Sequence, residues 1–161
     1  MTMPPHATHA LVISEETPDQ PEVLAFFAAS EAYMGALYPA ESNHFAPIET
    51  LLQPNVRFLV ARTAERRAVG CGAVVKADDG TAEIKRMWVE PDARGMKLGV
   101  RLLDALTALA RADGLHALRL ETGIHQPEAI GLYRRAGFVE IPPFGEYKLD
   151  PLSLFMELRL D

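Results

Sequence analysis

The chain of 161 residues is 48% apolar and 24% charged, the make-up of one soluble globular domain with a sizeable core. No apolar run approaches the ~20 residues that cross a bilayer, which argues against a membrane partner, and a single cysteine, Cys71, leaves no internal disulfide. Net charge is −6, yet residues 1–56 hold no Lys or Arg against Glu15, Glu16, Asp19, Glu22, Glu31, Glu41 and Glu49, so nucleic acid is excluded as a partner of that third.

Residues 1–8 read as a flexible lead-in. MTMPPHATHA lacks the basic and apolar regions of a signal peptide, so a cytoplasmic location is expected. Residues 9–14 (HALVIS) form a first strand. Thr17-Pro18-Asp19 then turns into a helix over 23–38, with Val23, Phe26, Phe27, Met34 and Leu37 at helical spacing. Tyr38-Pro39 ends it, because proline forces its predecessor out of the α region. A polar loop, 38–44, precedes a short helix at 48–52, stopped by Pro54. Strands follow at 56–61 and 68–76, and Asp78-Asp79-Gly80 is a hairpin turn. Cys71 lies in the apolar run 69–75 and reads as a buried structural thiol.

The organising stretch is 82–114. A strand over 84–89 ends at Glu90-Pro91, a glycine-containing turn spans 94–99, and an amphipathic helix carries Leu98, Leu102, Leu103, Leu106 and Leu109 on one face. This order leaves backbone N–H groups unpaired at the positive end of a helix dipole, a place for a pyrophosphate. An ordinary strand–turn–helix is the alternative. Gly114 stops the helix. A strand at 115–120 runs on to Thr122-Gly123, a short helix occupies 127–136, and strands at 138–141 and 152–160 flank a long loop. The order β-α-α-β-β-β-α-β-α-β-β gives an α/β fold, one mixed sheet with helices on both faces, in one domain over 1–161.

Two segments carry a resemblance. Arg94-Gly95-Met96-Lys97-Leu98-Gly99 is similar to the Arg/Gln-x-x-Gly-x-Gly/Ala turn of the Gcn5-related N-acetyltransferase (GNAT) superfamily, with Lys97 replacing its middle glycine. Gln126-Pro127-Glu128-Ala129-Ile130-Gly131-Leu132-Tyr133-Arg134-Arg135-Ala136-Gly137-Phe138 resembles that superfamily's Asn-x-x-Ala-x-x-Leu-Tyr-x-x-x-Gly-Phe, with Gln126 for Asn. The tail looks like that of small stand-alone bacterial members. The resemblance implies a sheet of ~seven strands splayed between the fourth and fifth, and acetyl-CoA as co-substrate with no metal. It implies that the backbone of Met87, Trp88 and Val89 pairs with the pantetheine. Amides of Arg94, Gly95, Met96, Lys97, Leu98 and Gly99 would hold the pyrophosphate, and Thr122, Gln126, Ala129 and Tyr133 would line the other wall. Lys97 either fits with negative φ and its ammonium near a phosphate, or hinders the loop.

Acetyl transfer to a primary amine of a small molecule or protein, by direct attack in a ternary complex, needs a base, an oxyanion donor and an acid for the leaving thiolate. The resemblance places Tyr133 as the acid, and a backbone N–H near Val89 as the donor. It makes Glu83 the first choice of base. The alternative is a solvated Glu83 paired with Lys85 or Arg86, and His44, Glu41 and His125 are rivals. Strand alternation puts Glu83, Lys85, Met87 and Val89 on one face, opposite Ile84, Arg86 and Trp88. The loops 38–44 and 144–150 would build the acceptor site, where Glu41, His44, Glu146 and Asp150 would meet a cationic amine. A homodimer is compatible with the resemblance. A non-catalytic acyl-CoA-binding or sensor domain is the competing reading, and a small-molecule binder without CoA a third.

Overall fold

The computed structural model describes residues 10–93 and 96–161; the lead-in 1–8 and the turn residues Arg94 and Gly95 lie outside the described residues. In chain order the elements are β1 (Leu11–Glu15), α1 (Pro21–Leu37), α2 (Ile48–Leu51), β2 (Val56–Thr63), β3 (Ala68–Lys76), β4 (Thr81–Val89), α3 (Leu98–Ala112), β5 (Ala117–Gly123), α4 (Pro127–Arg135), β6 (Val139–Ile141) and β7 (Ser153–Arg159). The strands form a 7-stranded sheet in the order β1-β2-β3-β4-β5-β7-β6. Among the described residues no helix is long and apolar enough to cross a membrane.

Strands β2 and β3 are apolar at nearly every position because helices cover both faces of the sheet. Phe58, Val60, Cys71 and Ala73 pack against Val23, Phe26 and Phe27 of α1 and Leu51 of α2. Leu59 and Val74 turn the other way, onto Leu102, Leu103, Leu106 and Ala110 of α3. The Cys71 thiol is fully buried, and that burial pushes its pKa up to about 12.

One boundary moves for a local reason. Residue 115 reads as strand from its hydropathy, yet it closes the helix instead. Gly114 takes a left-handed φ of 73° and the Leu115 N–H donates to the Ala110 carbonyl at 3.1 Å, a Schellman-type stop. Strand β5 therefore begins two positions later, at Ala117.

The opening expected in the sheet is set by pairing. Strands β4 and β5 run parallel, joined through α3, and pair only at Thr81–Ala117, Ala82–Leu118 and Glu83–Arg119. Beyond Glu83 no ladder pair joins them, while β5 stays paired with β7 along its whole length. The unpaired edges of β4 and β5 face each other across a wedge.

A bulge in β4 changes which side chains face that wedge. Cys71 pairs with Trp88 and Ala73 with Lys85, so Arg86 and Met87 together oppose Gly72 alone. Arg86 absorbs the extra residue with φ of 57°. The expected strict alternation is thereby overturned past Lys85. Ala82, Ile84 and Met87 pack on the α3 side, whereas Trp88 packs on the α1 side and the Arg86 guanidinium lies over Phe27 of α1. Arg86 thus joins the face that carries Glu83 and Lys85.

Candidate functional site

Where β4 and β5 part, three spaces adjoin. A groove of about 500 Å³ has Met87, Trp88 and Val89 on one wall and Gln126, Ala129 and Tyr133 on the other. An inner cavity of about 160 Å³ shares Met87, Gln126, Ala129 and Tyr133 with it. A mouth of about 720 Å³ shares His44, Phe45 and Lys85 with the cavity, and is bordered by Glu41, Glu83 and Tyr147.

The groove ends at the start of α3, where Lys97, Leu98 and Gly99 line it. Leu98 is buried and anchors the first turn; no side chain caps this helix and no acid stands in its first turn. First-turn amides and the dipole's positive end are therefore left for an anion. Lys97 is the N-cap residue with φ 55° and ψ 29°. The negative φ that a lysine was expected to need is not what it adopts; it takes the left-handed geometry that a glycine would adopt without cost. Met96 packs beside Ala93 and Leu98 rather than on the groove, and Thr122 is buried and lines the inner cavity. An unpaired strand edge, an uncapped helix start and a partly apolar trough fit an extended thioester cofactor with a pyrophosphate.

Helix α4 positions Tyr133 through its own ends. Pro127 opens it, and Gln126 Oε1 accepts from the Gly123 N–H at 3.2 Å and from the Tyr38 hydroxyl at 3.3 Å. At the other end Gly137 turns with φ of 104°, and the Phe138 N–H donates to the Tyr133 carbonyl at 3.0 Å. The Phe138 ring then meets the Tyr133 ring edge-on at 5.7 Å. The spacing Tyr-x-x-x-Gly-Phe is thus a helix stop that fixes one phenol. That phenol is buried where groove and inner cavity meet. Its hydroxyl donates to Met87 Sδ at 3.8 Å, a weak acceptor. Burial, reinforced by the Glu121 carboxylate, pushes its pKa up to about 12, so the phenol is protonated in the resting enzyme.

The mouth is a charged cluster. The Tyr147 hydroxyl donates to Glu83 Oε2, and Lys85 Nζ donates to the Tyr147 hydroxyl. Lys85 also reaches the His44 carbonyl and Glu83 Oε2, each at 3.2 Å. His44 stands edge-on to Tyr147, with ring centroids 5.2 Å apart. Burial, then the Glu83 carboxylate, holds the Tyr147 phenol far above its ordinary range. Phe144 and Tyr147 pack on Phe155 of β7, which seats the late loop. Ser42 Oγ donates to Asp150 Oδ2 at 2.8 Å and ties the loop after α1 to the loop before β7.

Two residues that sequence reasoning passed over belong here. Glu121 of β5 lines the inner cavity with Tyr133 and accepts from Ser153 Oγ at 2.8 Å; burial raises its pKa. The signal was available: in Leu118-Arg119-Leu120-Glu121 the leucines mark the core face and leave Glu121 on the other, beside the wedge. Tyr38 is the second. Its hydroxyl accepts the His125 N–H at 3.0 Å, and its ring stacks on His125. The structure brings Tyr133, Gln126, Ala129, Met87, Trp88 and Val89 together on the groove, and sets Glu83, Glu41 and His44 at the mouth, on the far side of the inner cavity.

Residues 19–138 match the model of the Acetyltransferase (GNAT) family. An IAA acetyltransferase of Azospirillum brasilense is 49% identical over 151 residues, covering 93% of this chain and 98% of the relative. An L-methionine sulfoximine/L-methionine sulfone acetyltransferase of Pseudomonas aeruginosa is 32% identical over 156 residues, covering 89% of this chain and 90% of its own length. The crystal structure of a Klebsiella pneumoniae protein assigned as an acyl-CoA N-acyltransferase superposes with a TM-score of 0.81 at 40% identity, over 95% of this chain and 99% of that one. A splayed sheet, a groove ending on an uncapped helix and a fixed phenol agree with those matches: the chain belongs to the GNAT family and is an acetyl-CoA-dependent N-acetyltransferase.

Proposed function

We propose that this enzyme acetylates the primary amine of a small molecule by direct transfer within a ternary complex, with Tyr133 as the acid. Acetyl-CoA supplies an activated acyl group as a thioester. Met87, Trp88 and Val89 on one side, and Gln126, Ala129 and Tyr133 on the other, would hold its pantetheine arm. The first-turn amides of α3, with Arg94, Gly95, Met96, Lys97, Leu98 and Gly99, would hold the pyrophosphate, and Thr122 closes the inner end. The observation that carries the reading is the buried Tyr133 hydroxyl, met among the described residues only by a thioether, where groove and cavity join. A phenol with a raised pKa keeps its proton in the resting enzyme, and the burial that raises it also raises the pKa of a thiol leaving into the same space, so the proton passes to sulfur as its charge develops.

For the base, Glu83 sits at the mouth and would act through Tyr147, whose hydroxyl it holds. A specific observation favours a second reading, in which Glu121 takes the proton: it shares the inner cavity with Tyr133, and its raised pKa brings it nearer to that of an amine. Glu41 and His44 would border the acceptor. The small cavity, and the small-molecule names of the Pseudomonas relative's substrates, favour a small acceptor over a protein. A reducing cytoplasmic setting suits the unpaired buried Cys71.

Thiol release with an amine panel tests the assignment. Tyr133→Phe should lower kcat about 10²- to 10⁴-fold, the usual worth of a general acid, with coenzyme A affinity little changed. Undiminished transfer by that variant removes Tyr133 from the mechanism. Glu83→Gln and Glu121→Gln then identify the base, because the true base alone abolishes the acidic limb of the pH–rate profile.

A further inference from the structure

The inner cavity contains one cationic group whose bonding is incomplete. Arg86 stands at the crest of the β4 bulge with φ of 57°, a conformation that costs a non-glycine residue about 1 kcal/mol. Its side chain is only 6% exposed. Nε donates to the Ala46 carbonyl at 2.9 Å and Nη2 to Glu31 Oε2 at 3.0 Å. The guanidinium lies over the rings of Phe27 and Phe45, at 4.4 and 5.1 Å. Nη1 has no partner, and it is the one buried side-chain nitrogen or oxygen among the described residues in that condition.

An unmet charged donor in the interior is expensive, and native structures rarely leave one without a use. Relaxation toward water is blocked, because the two rings and two hydrogen bonds hold the guanidinium in place. Arg86 lines the inner cavity, the space into which the proposed acceptor would come, with Nη1 just beneath its surface. A planar fork with a free N–H matches a carboxylate oxygen. Nη1 carries almost no accessible surface, so a ligand must shift a neighbour to reach it; Met34, unbranched and adaptable, lines the same cavity.

The opposite side of the cavity carries the opposite charge. Glu121 on β5 is partly buried, is held by Ser153, and lies close enough to Tyr133 to raise its pKa. A cation contributed by β4 and a carboxylate contributed by β5 are complementary to a molecule with both an ammonium and a carboxylate. Four of the seven acids of the N-terminal third are already paired with arginines and add little to a field for a polycation. Glu15 pairs with Arg57, Glu16 and Glu22 with Arg62, and Glu31 with Arg86 itself.

We infer that Arg86 Nη1 anchors a carboxylate of the acceptor, so that the amine acetylated belongs to an amino acid or a similar carboxylate-bearing amine rather than to a polyamine. The inference rests on the cavity beside Tyr133 being the acceptor site. The test uses matched pairs: free L-leucine, L-phenylalanine and L-glutamate against their carboxamides, with spermidine as the polycation. Two readouts are taken, thiol release with acetyl-CoA and thermal stabilisation of the protein saturated with coenzyme A.

Wild type should prefer the acids over the amides about 10- to 100-fold in kcat/KM, the range of one charge-assisted hydrogen bond. Arg86→Gln should bring that ratio close to one, with Arg86→Lys between the two. Coenzyme A titration of each variant reports whether groove and fold persist. Wild-type protein that uses acids and amides equally, or prefers spermidine, overturns the inference without any variant and leaves the transferase reading standing. An acid preference that survives in Arg86→Gln overturns the assignment of Arg86. Acid-selective stabilisation without turnover supports the anchor and counts against the catalytic roles given to Tyr133 and its bases.

Discussion

Lys97 occupies left-handed backbone, φ 55°, at the N-cap of α3. A side chain there costs about 1 kcal/mol relative to glycine, and the cost is borne where the chain turns sharply beside the proposed pyrophosphate site. Lys97→Gly should therefore raise Tm by about 2–4 °C, the shift that 1 kcal/mol produces in a domain of this size. If the ammonium also assists the cofactor, the same variant weakens coenzyme A binding at low salt and less so at high salt, since only the charge term is screened. Calorimetry at two ionic strengths checks it. Gly123 is constrained in a different way. A Cβ built there would lie 1.9 Å from the Tyr38 hydroxyl oxygen, so the close approach of Tyr38 to the β5–α4 corner requires glycine. Gly123→Ala should destabilise the protein by about 1–3 kcal/mol in denaturant melts, as overpacking does. It should also weaken coenzyme A binding, because Tyr38 and the Gly123 amide both hold Gln126 on the groove wall.

At the scale of elements, the helices and most strands were legible, and for identifiable reasons. Helix α3 shows a leucine stripe because it covers a sheet on one side only, and α4 announces itself through Pro127 and Gly137 at its ends. The bulge in β4 was not legible. Alternation assumes one residue per pleat, and nothing in Lys85-Arg86-Met87 marks the extra one, since left-handed backbone is not encoded by arginine. Every side-chain direction past Lys85 was consequently inverted. The contact between the loops before and after the sheet opening was also invisible, because Ser42 bonds to Asp150 and His44 meets Tyr147 across distant sequence. The Leu152 N–H first, and then the Ser42 hydroxyl, hold the Asp150 carboxyl below its ordinary range. Ser42→Ala should loosen the acceptor side alone. An exposed hydrogen bond of this kind is worth little by itself, so acceptor KM should rise only roughly three-fold, with coenzyme A affinity unchanged in the same preparation.

At the scale of the whole molecule, the wedge between β4 and β5 opens the sheet's interior to ligands, and it places a carboxylate where a closed sheet would place a leucine. Glu121 is that carboxylate, and its burial should be readable in the global stability. The sign follows from linkage. A carboxyl whose folded pKa lies above its unfolded value binds more protons in the native state between those two values. Folding therefore favours the protonated form, and stability falls as pH rises through that window. The loss is complete once Glu121 is ionised in both states. Glu121→Gln, which cannot ionise, escapes the penalty. Its Tm relative to wild type should be higher at pH 7 than at pH 4, where the native carboxyl is largely protonated and the two proteins approach each other. Asp150 works in the opposite direction, since its lowered carboxyl stabilises above the unfolded pKa and ceases to do so in acid. Subtracting an Asp150→Asn background isolates the Glu121 contribution. A Glu121→Gln advantage that is flat from pH 4 to pH 7 would mean that this side chain meets water in the native state, and that the cavity it shares with Tyr133 is wetter than its packing implies.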